Sequence, residues 1–286
     1  MILHITNGDI AADKMAAAGI APVLRWRDVL HDGELPADPT SETFRAARVA
    51  FIVERGWAPE HLVASAFAAR DAALALAAKS GDEFVLWFEA DLYDQFQMLD
   101  VLERLRRYGV AADRISAHVV DAWPGIARFA GLGQFSPEDF KTLAAQAPAP
   151  VDLDFAGRAW AALTVAPPHL AAIARAKIGG ALRFVPDAFA RWMREFPWTS
   201  DGLTLTERRV VDALAQGPAS ADDLFRAIGQ AEMRPWLGDL SFYDRLDALA
   251  EMGAIRADGD VYRAGKGKMP SRPWRYDPER DAVVAA

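Results

Sequence analysis

Residues 84–96 read FVLWFEADLYDQF, and no other segment restricts the fold as tightly. The apolar run 84–88 has the length and composition of a strand buried on both faces. Glu89, Asp91, Asp94 and Gln95 follow at once, where the strand gives way to a helix over 93–108 that Gly109 stops. In an open parallel α/β sheet this carboxyl edge is where ligands bind. Carboxylates crowded there must be paired, metal-bound or catalytic, because desolvating an unpaired one is costly.

The rest of residues 1–135 repeats this alternation. A short apolar strand at 2–6 ends in Asn7-Gly8-Asp9 and leads into a helix at 10–18, and a second strand at 22–26 ends in Arg27-Asp28. Helices follow at 41–55, opened by Thr40 or Ser41 as a cap, and at 59–79. After the 84–88 strand and its helix comes a fourth strand at 115–120. Strands separated by helices predict a Rossmann-like α/β domain with a mostly parallel sheet. Residues 136–200 read as a helical bridge, opened by the cap, proline and acid of Ser136-Pro137-Glu138.

Over 201–265 the pattern gives three helices, at 206–215, 221–228 and 241–252. A hairpin signal follows at Asp258-Gly259, between strands at 254–256 and 261–263. That order describes a winged helix-turn-helix. The tail, 266–286, is polar and contains proline, and is expected to be loosely held.

With no cysteine, disulfides, thiolate metal sites and cysteine nucleophiles are excluded. No apolar run reads as long enough to span a bilayer and no basic-then-apolar leader opens the chain, so no membrane role is expected and a reducing cytoplasm is the expected location. The net charge of −8 argues against broad nonspecific contact with nucleic acid. The C-terminal unit carries twelve Asp or Glu against seven Arg over 201–264. Its third helix holds Asp244, Asp247 and Glu251 against Arg245, the opposite of what phosphate contacts need. Direct DNA binding is therefore disfavoured, and a protein partner or a second copy of the chain fits this unit better.

The candidate site gathers at the strand ends. Asn7, Gly8 and Asp9 sit where the first strand turns into a helix whose free N–H groups can hold an anion; the alternative is an ordinary turn capped by Asp9. No G-x-G-x-x-G and no P-loop is present. His4, on the same face as Thr6, reads either as a hydrogen-bonded core histidine or as a ligand-binding group. Arg27 can fork onto a phosphate or carboxylate and His31 can move protons near neutral pH; equally, Arg27 can neutralise a neighbouring acid. Glu89, Asp91 and Asp94 supply oxygen donors suited to Mg²⁺ or Mn²⁺, or serve as helix N-terminal acids. Gly131-Leu132-Gly133-Gln134 reads as a closing loop or a domain junction.

These motifs resemble the uncharacterised bacterial DUF1835 family with a DUF3658-like C-terminal region. The likeness is carried by LHITNGD (3–9), WRDVLHDG (26–33), LWFEADLYDQ (86–95), GLGQFSPE (131–138), EFPWTSDGLTLTERRVVDAL (195–214) and PWLGDLSF (235–242). It implies a Rossmann-like half and a winged-helix-like half, and no reaction. Two positions depart from the family pattern: Ile10 stands where a serine is frequent, and Ala90 where a histidine is frequent. A histidine role at position 90 is thereby excluded here.

The expectation is a cytoplasmic protein binding a small anionic, nucleotide-like ligand through His4, Asn7, Gly8, Arg27 and Gln95. As an enzyme it would perform metal-assisted hydrolysis or phosphoryl transfer, with Glu89, Asp91 and Asp94 holding the metal and His31, Asp9 or Asp28 acting on protons. The alternative is a ligand-sensing regulator whose winged helix meets a protein or DNA.

Overall fold

The computed structural model describes residues 1–165, 167–267 and 272–286, and the chain divides into two compact units. One comprises Met1–Ala166 and Ile173–Ala188, and the other Pro167–Ala172 and Phe189–Ala286. The segment expected as a separate bridge is thus shared between them.

The first unit runs β1 (Ile2–Asn7), α1 (Asp9–Ala17), β2 (Val23–Trp26), α2 (Glu42–Glu54), α3 (Glu60–Lys79), β3 (Glu83–Glu89), α4 (Leu92–Arg107), β4 (Ile115–Val120), α5 (Pro137–Ala144), β5 (Ala149–Pro150) and α6 (Leu153–Thr164). The expected mixed α/β architecture is present. β2, β1, β3 and β4 lie side by side in that order and run parallel, and the two-residue β5 joins β4 antiparallel. The register sets Thr6 beside Trp87 and Trp87 beside His118. From β1 the chain moves outward to β2, then crosses back over β1 to β3. The direction of winding therefore reverses between β1 and β3, which opens a crevice at their carboxyl ends.

Alternation along β3 sends Trp87 to one face and Phe84, Leu86 and Phe88 to the other. Trp87 packs with Ala11 and Met15 of α1 and Phe140 and Leu143 of α5. The opposite face receives α4 on β3 and α3 on β2, with α6 outside α4. α4 is buried along residues 92–105 except for the partly exposed Tyr93. A helix enclosed on all sides is ordinarily apolar, yet this one carries Asp94, Gln95, Gln97, Asp100, Glu103 and Arg104. Ion pairing offsets much of that cost. Asp100 accepts from the Trp26 indole at 3.0 Å and from Arg104 Nε at 2.7 Å, and Arg104 reaches Asp71 of α3 at 3.0 Å.

α3 corrects one expectation. It is 20 residues long and contains an 18-residue stretch with a mean hydropathy of 1.3, enough by length and composition alone to cross a bilayer. Its Val63, Phe67, Leu74 and Ala77 are buried, and its Arg70 and Asp71 are buried as a pair 2.9 Å apart.

The remaining elements are α7 (Leu170–Ala174), α8 (Val185–Met193), α9 (Leu205–Ala215), α10 (Ala221–Gln230), α11 (Asp239–Glu251), β6 (Ile255–Asp258), β7 (Val261–Ala264), β8 (Trp274–Asp277) and β9 (Ala282–Ala285). Val210, Leu214, Leu224, Ile228, Phe242, Leu246 and Ile255 join α9, α10, α11 and β6 in one core. Thr204 and Glu207 form a reciprocal capping box at the start of α9. β6 and β7 make a small antiparallel pair. The tail is not loose over its described part: β8 and β9 pair antiparallel, Tyr276 and Val283 are buried, and the Tyr276 N–H donates to Pro197 O at 2.9 Å. Each strand is only four residues long, so its alternation was too short to stand out from the polar residues around it. Residues 268–271 of that expected tail lie outside the described residues.

After β2, the turn over 27–34 is held by one buried pair. Arg48 of α2 donates to Asp28 through Nε at 3.0 Å and Nη2 at 2.8 Å. It also donates to the main-chain oxygens of Val29 and Asp32 at 2.8 Å each. Both side chains are fully enclosed. Breaking such a pair from one side strands the other charge. Asp28→Ala is therefore expected to lower the unfolding free energy by about 3–5 kcal/mol, read by urea denaturation. A loss under about 1 kcal/mol would show that the turn does not depend on this pair.

Candidate functional site

The site is assembled from three chain ends. β1 stops at Asn7, and Gly8, at φ +73°, makes a turn that a residue with a Cβ rarely adopts. β3 stops at Glu89, and Asp91 caps α4 by accepting the Asp94 N–H at 3.0 Å. Asp94, in the first turn of α4, points back at both strands. Its Oδ1 accepts from the Asn7 amide at 2.7 Å and its Oδ2 from the Glu89 N–H at 2.8 Å. One wholly buried carboxylate thus ties the end of β1 to the end of β3. Gln95 Nε2 donates to the Glu89 carbonyl at 2.7 Å, on the same junction.

A loop closes over Glu89. Leu132, at the start of a short 3₁₀ turn (Leu132–Gln134), donates its N–H to Glu89 Oε1 at 2.5 Å. Gly131 adopts φ +148°, and a Cβ there would lie 2.7 Å from the carboxylate oxygens, so both the conformation and the close approach require glycine. Lys14 of α1 holds the same loop by donating to Gly133 O at 2.6 Å. Asn7, Gly8, Glu89 and Tyr93 are partly exposed, whereas Asp94 and Gln95 are buried.

The electrostatics follow from crowding. Glu89 is pushed well above the usual carboxyl range by loss of hydration first, then by Asp94 and Asp91. Asp94 is likewise raised, by burial and then by Asp91. The Tyr93 phenol is raised by burial and then by the charges of Asp28, Asp94 and Asp91, which places it between the turn after β2 and the turn after β3. The His31 ring lies 5.4 Å from that of Tyr93.

The structure brings together Asn7, Gly8, Glu89, Asp91, Asp94 and Gln95 from the sequence reading. Asp28 and His31 border the site through Tyr93, and the Asp28 carboxylate is engaged by Arg48. Asp9 is not part of the carboxyl cluster. It lies exposed at the start of α1 and pairs with Arg27 and Arg25 on the surface. His4 follows its core reading: its Nδ1 accepts from the Trp87 indole at 3.1 Å, and burial lowers its pKa. Beyond Trp87, His118 is lowered to about 4 by burial and by His4.

The expected Mg²⁺ or Mn²⁺ site does not fit these donors. Among the described residues no group of three or more His, Asp or Glu side chains is placed to hold a metal ion. Both Asp94 oxygens, Glu89 Oε1 and Asp91 Oδ1 already accept N–H groups. Such a cation needs several oxygens free to converge on it.

Sequence reasoning passed over Tyr93 and Arg48, and read Gly131 and Leu132 as a closing loop or a domain junction. The glycines at 131 and 133 were legible as a loop, but nothing in their spacing shows which acid the loop covers. Arg48 looks like any arginine on an amphipathic helix. Compared with known families, the chain matches no family profile, and no curated protein matches it.

The raised carboxyls have a consequence for stability. Above the ordinary carboxyl pKa, near 4, the unfolded chain releases protons that the folded cluster keeps. The stabilisation from this cluster is thus fully present below that pH and is lost as pH rises through the folded-state values. Glu89→Gln keeps the shape and removes the titration. It should flatten the decline in unfolding free energy as pH rises above about 4, measured by urea denaturation at several pH values. An unchanged slope would mean that Glu89 is ionised in the folded protein.

Proposed function

We propose that the chain binds a small anionic, nucleotide-like ligand in the crevice between the carboxyl ends of β1 and β3. The observation that carries this reading is the convergence of Asn7, Glu89, Asp94 and Gln95 at the reversal of winding, with Asn7 and Glu89 partly exposed. Arg27 and Arg25 on the rim supply positive charge for the anionic end, in exchange for their surface contacts with Asp9. Surface ion pairs of this kind are weak and are given up readily. The raised carboxyls hold protons to higher pH than ordinary acids do, and a protonated one offers an O–H donor to oxygen-rich groups. As chemistry, the arrangement favours acid–base assistance to hydrolysis or phosphoryl transfer, without a step through a metal. A Rossmann-like description of the first unit, kinship with the DUF1835 family and a cytoplasmic location belong to the same reading; the first rests on the strand order and the second on the motif order.

The second unit favours a further role beside this one. Three helices and then an antiparallel pair, β6 and β7, follow the order of a winged helix. The acidic residues of α11 turn that unit toward a protein partner rather than DNA.

A thermal-shift series with nucleoside phosphates and sugar phosphates tests the ligand reading. At least one compound should raise the melting temperature, and Arg27→Ala should weaken its binding about tenfold, the equivalent of roughly 1.4 kcal/mol. No shift with any compound, or a shift that Arg27→Ala and Asn7→Ala both leave intact, would remove the crevice as the site.

A further inference from the structure

α3 is enclosed on one side only, and its other side is unusual for a surface helix. Val63, Phe67, Leu74 and Ala77 face the core, and so do the internal charges of the helix, Arg70 and Asp71. Leu62, Ala66, Ala69, Ala73 and Leu76 are exposed, with only serine, alanine and one histidine beside them. No lysine, arginine or carboxylate stands on this outer face from 61 to 78, in a chain of which 25% is charged. A surface helix ordinarily turns charged residues to water. Leu62 is 55% exposed and Leu76 66%, so the two large apolar side chains of the face lie open.

The spacing says what kind of partner fits. Leu62, Ala66, Ala69, Ala73 and Leu76 recur at intervals of four, three, four and three, the seam of a coiled coil. The seam is also close to a palindrome. Leu62 and Leu76 lie seven residues either side of Ala69, and Ala66 and Ala73 lie three and four residues from it. A second α3 laid antiparallel about a two-fold axis near Ala69 sets leucine on leucine at both ends and alanine on alanine between. The match holds to within one residue's rise, about 1.5 Å. Alanine in the middle lets the axes approach to about 8 Å, the close end of helix packing.

Charge selects the same arrangement. Glu60 and Lys79, both exposed, stand at opposite ends of α3. Antiparallel pairing brings each beside the opposite charge of the second copy, whereas parallel pairing would set like charges together. A lipid surface matches the face less well, because Lys79 is the one cation that α3 exposes and anionic headgroups draw a basic rim.

We propose that the outer face of α3 pairs antiparallel with the same face of a second copy of this chain, across a two-fold axis near Ala69. The interface is isologous, so each copy supplies both leucines and both charged ends. It stands independently of the ligand reading. A seam about 21 Å long between its leucines, mostly alanine, is smaller than the interface of a permanent dimer, so the association depends on concentration.

The chain has no cysteine, so single cysteines report the register directly. Under mild oxidation of the full chain, Ala69→Cys should cross-link to itself, because its mate lies just across the axis. Leu62→Cys and Leu76→Cys should each fail alone, their own mates lying about 21 Å away, yet should cross-link to one another when mixed. Sedimentation velocity on the wild type should show a dimer that grows with concentration. Ala69→Glu sets two like charges on the axis and should weaken the dimer at least about tenfold. Position 69 is exposed, so at dilutions where both are monomeric this variant should melt close to the wild type. A wild type that stays monomeric at its highest soluble concentration would overturn the proposal. So would a dimer that Ala69→Glu leaves intact, or a Leu62→Cys variant that cross-links to itself as readily as Ala69→Cys.

Discussion

The Asp94 carboxylate is the constraint on which the first unit depends. It is buried, it stands among other acids, and its two oxygens accept from groups at the ends of two different strands. A carboxylate in such a place costs hydration energy, and two features of the chain offset that cost. It sits in the first turn of α4, where unpaired N–H groups and the helix dipole favour negative charge. It also receives N–H donors from Asn7 and Glu89, which would otherwise be left at a sheet edge. The same bond that closes the junction of β1, β3 and α4 thereby shapes the crevice.

α4 extends this logic inward. Its polar residues meet partners in a chain from Trp26 through Asp100 and Arg104 to Asp71, with Arg70 beside it. Buried ion pairs add little net stability compared with a well-packed apolar core, but leaving one half unpaired is expensive. Each pair therefore selects against rotation or sliding of α4 relative to the sheet. Rigid placement of α4 is what holds Asp91, Asp94 and Gln95 at fixed positions over the strand ends. The second unit uses the same device, where Arg191 bridges Glu195 and Glu232 at 2.7 Å each.

Crowding and burial raise the affinity of Glu89 and Asp94 for protons above that of ordinary carboxylates. A glycine-bearing loop can then lie directly on Glu89, because the carboxyl beneath it accepts the Leu132 N–H. The raised pKa of Glu89 and the closure over it thus share one source, the loss of water around its carboxyl.

The sequence by itself determined the order of strands and helices in the first unit, because periodicity and caps are local signals: Ser41, Asp91, Ser136 and Thr204 all cap helices as their types suggest. It also placed Glu89, Asp91, Asp94 and Gln95 together, since a strand end and the following helix start are neighbours in the chain. Partner choice was decided only in three dimensions. Asp9 and Asp28 look equivalent in sequence, each an acid just after a strand, yet one pairs with surface arginines and the other is sealed by Arg48, twenty residues away. The covering of Glu89 by Leu132 depends on a contact across forty-three residues. Charge and hydrogen bonding act through space, so the tertiary structure alone settles which of many chemically similar groups lie within reach.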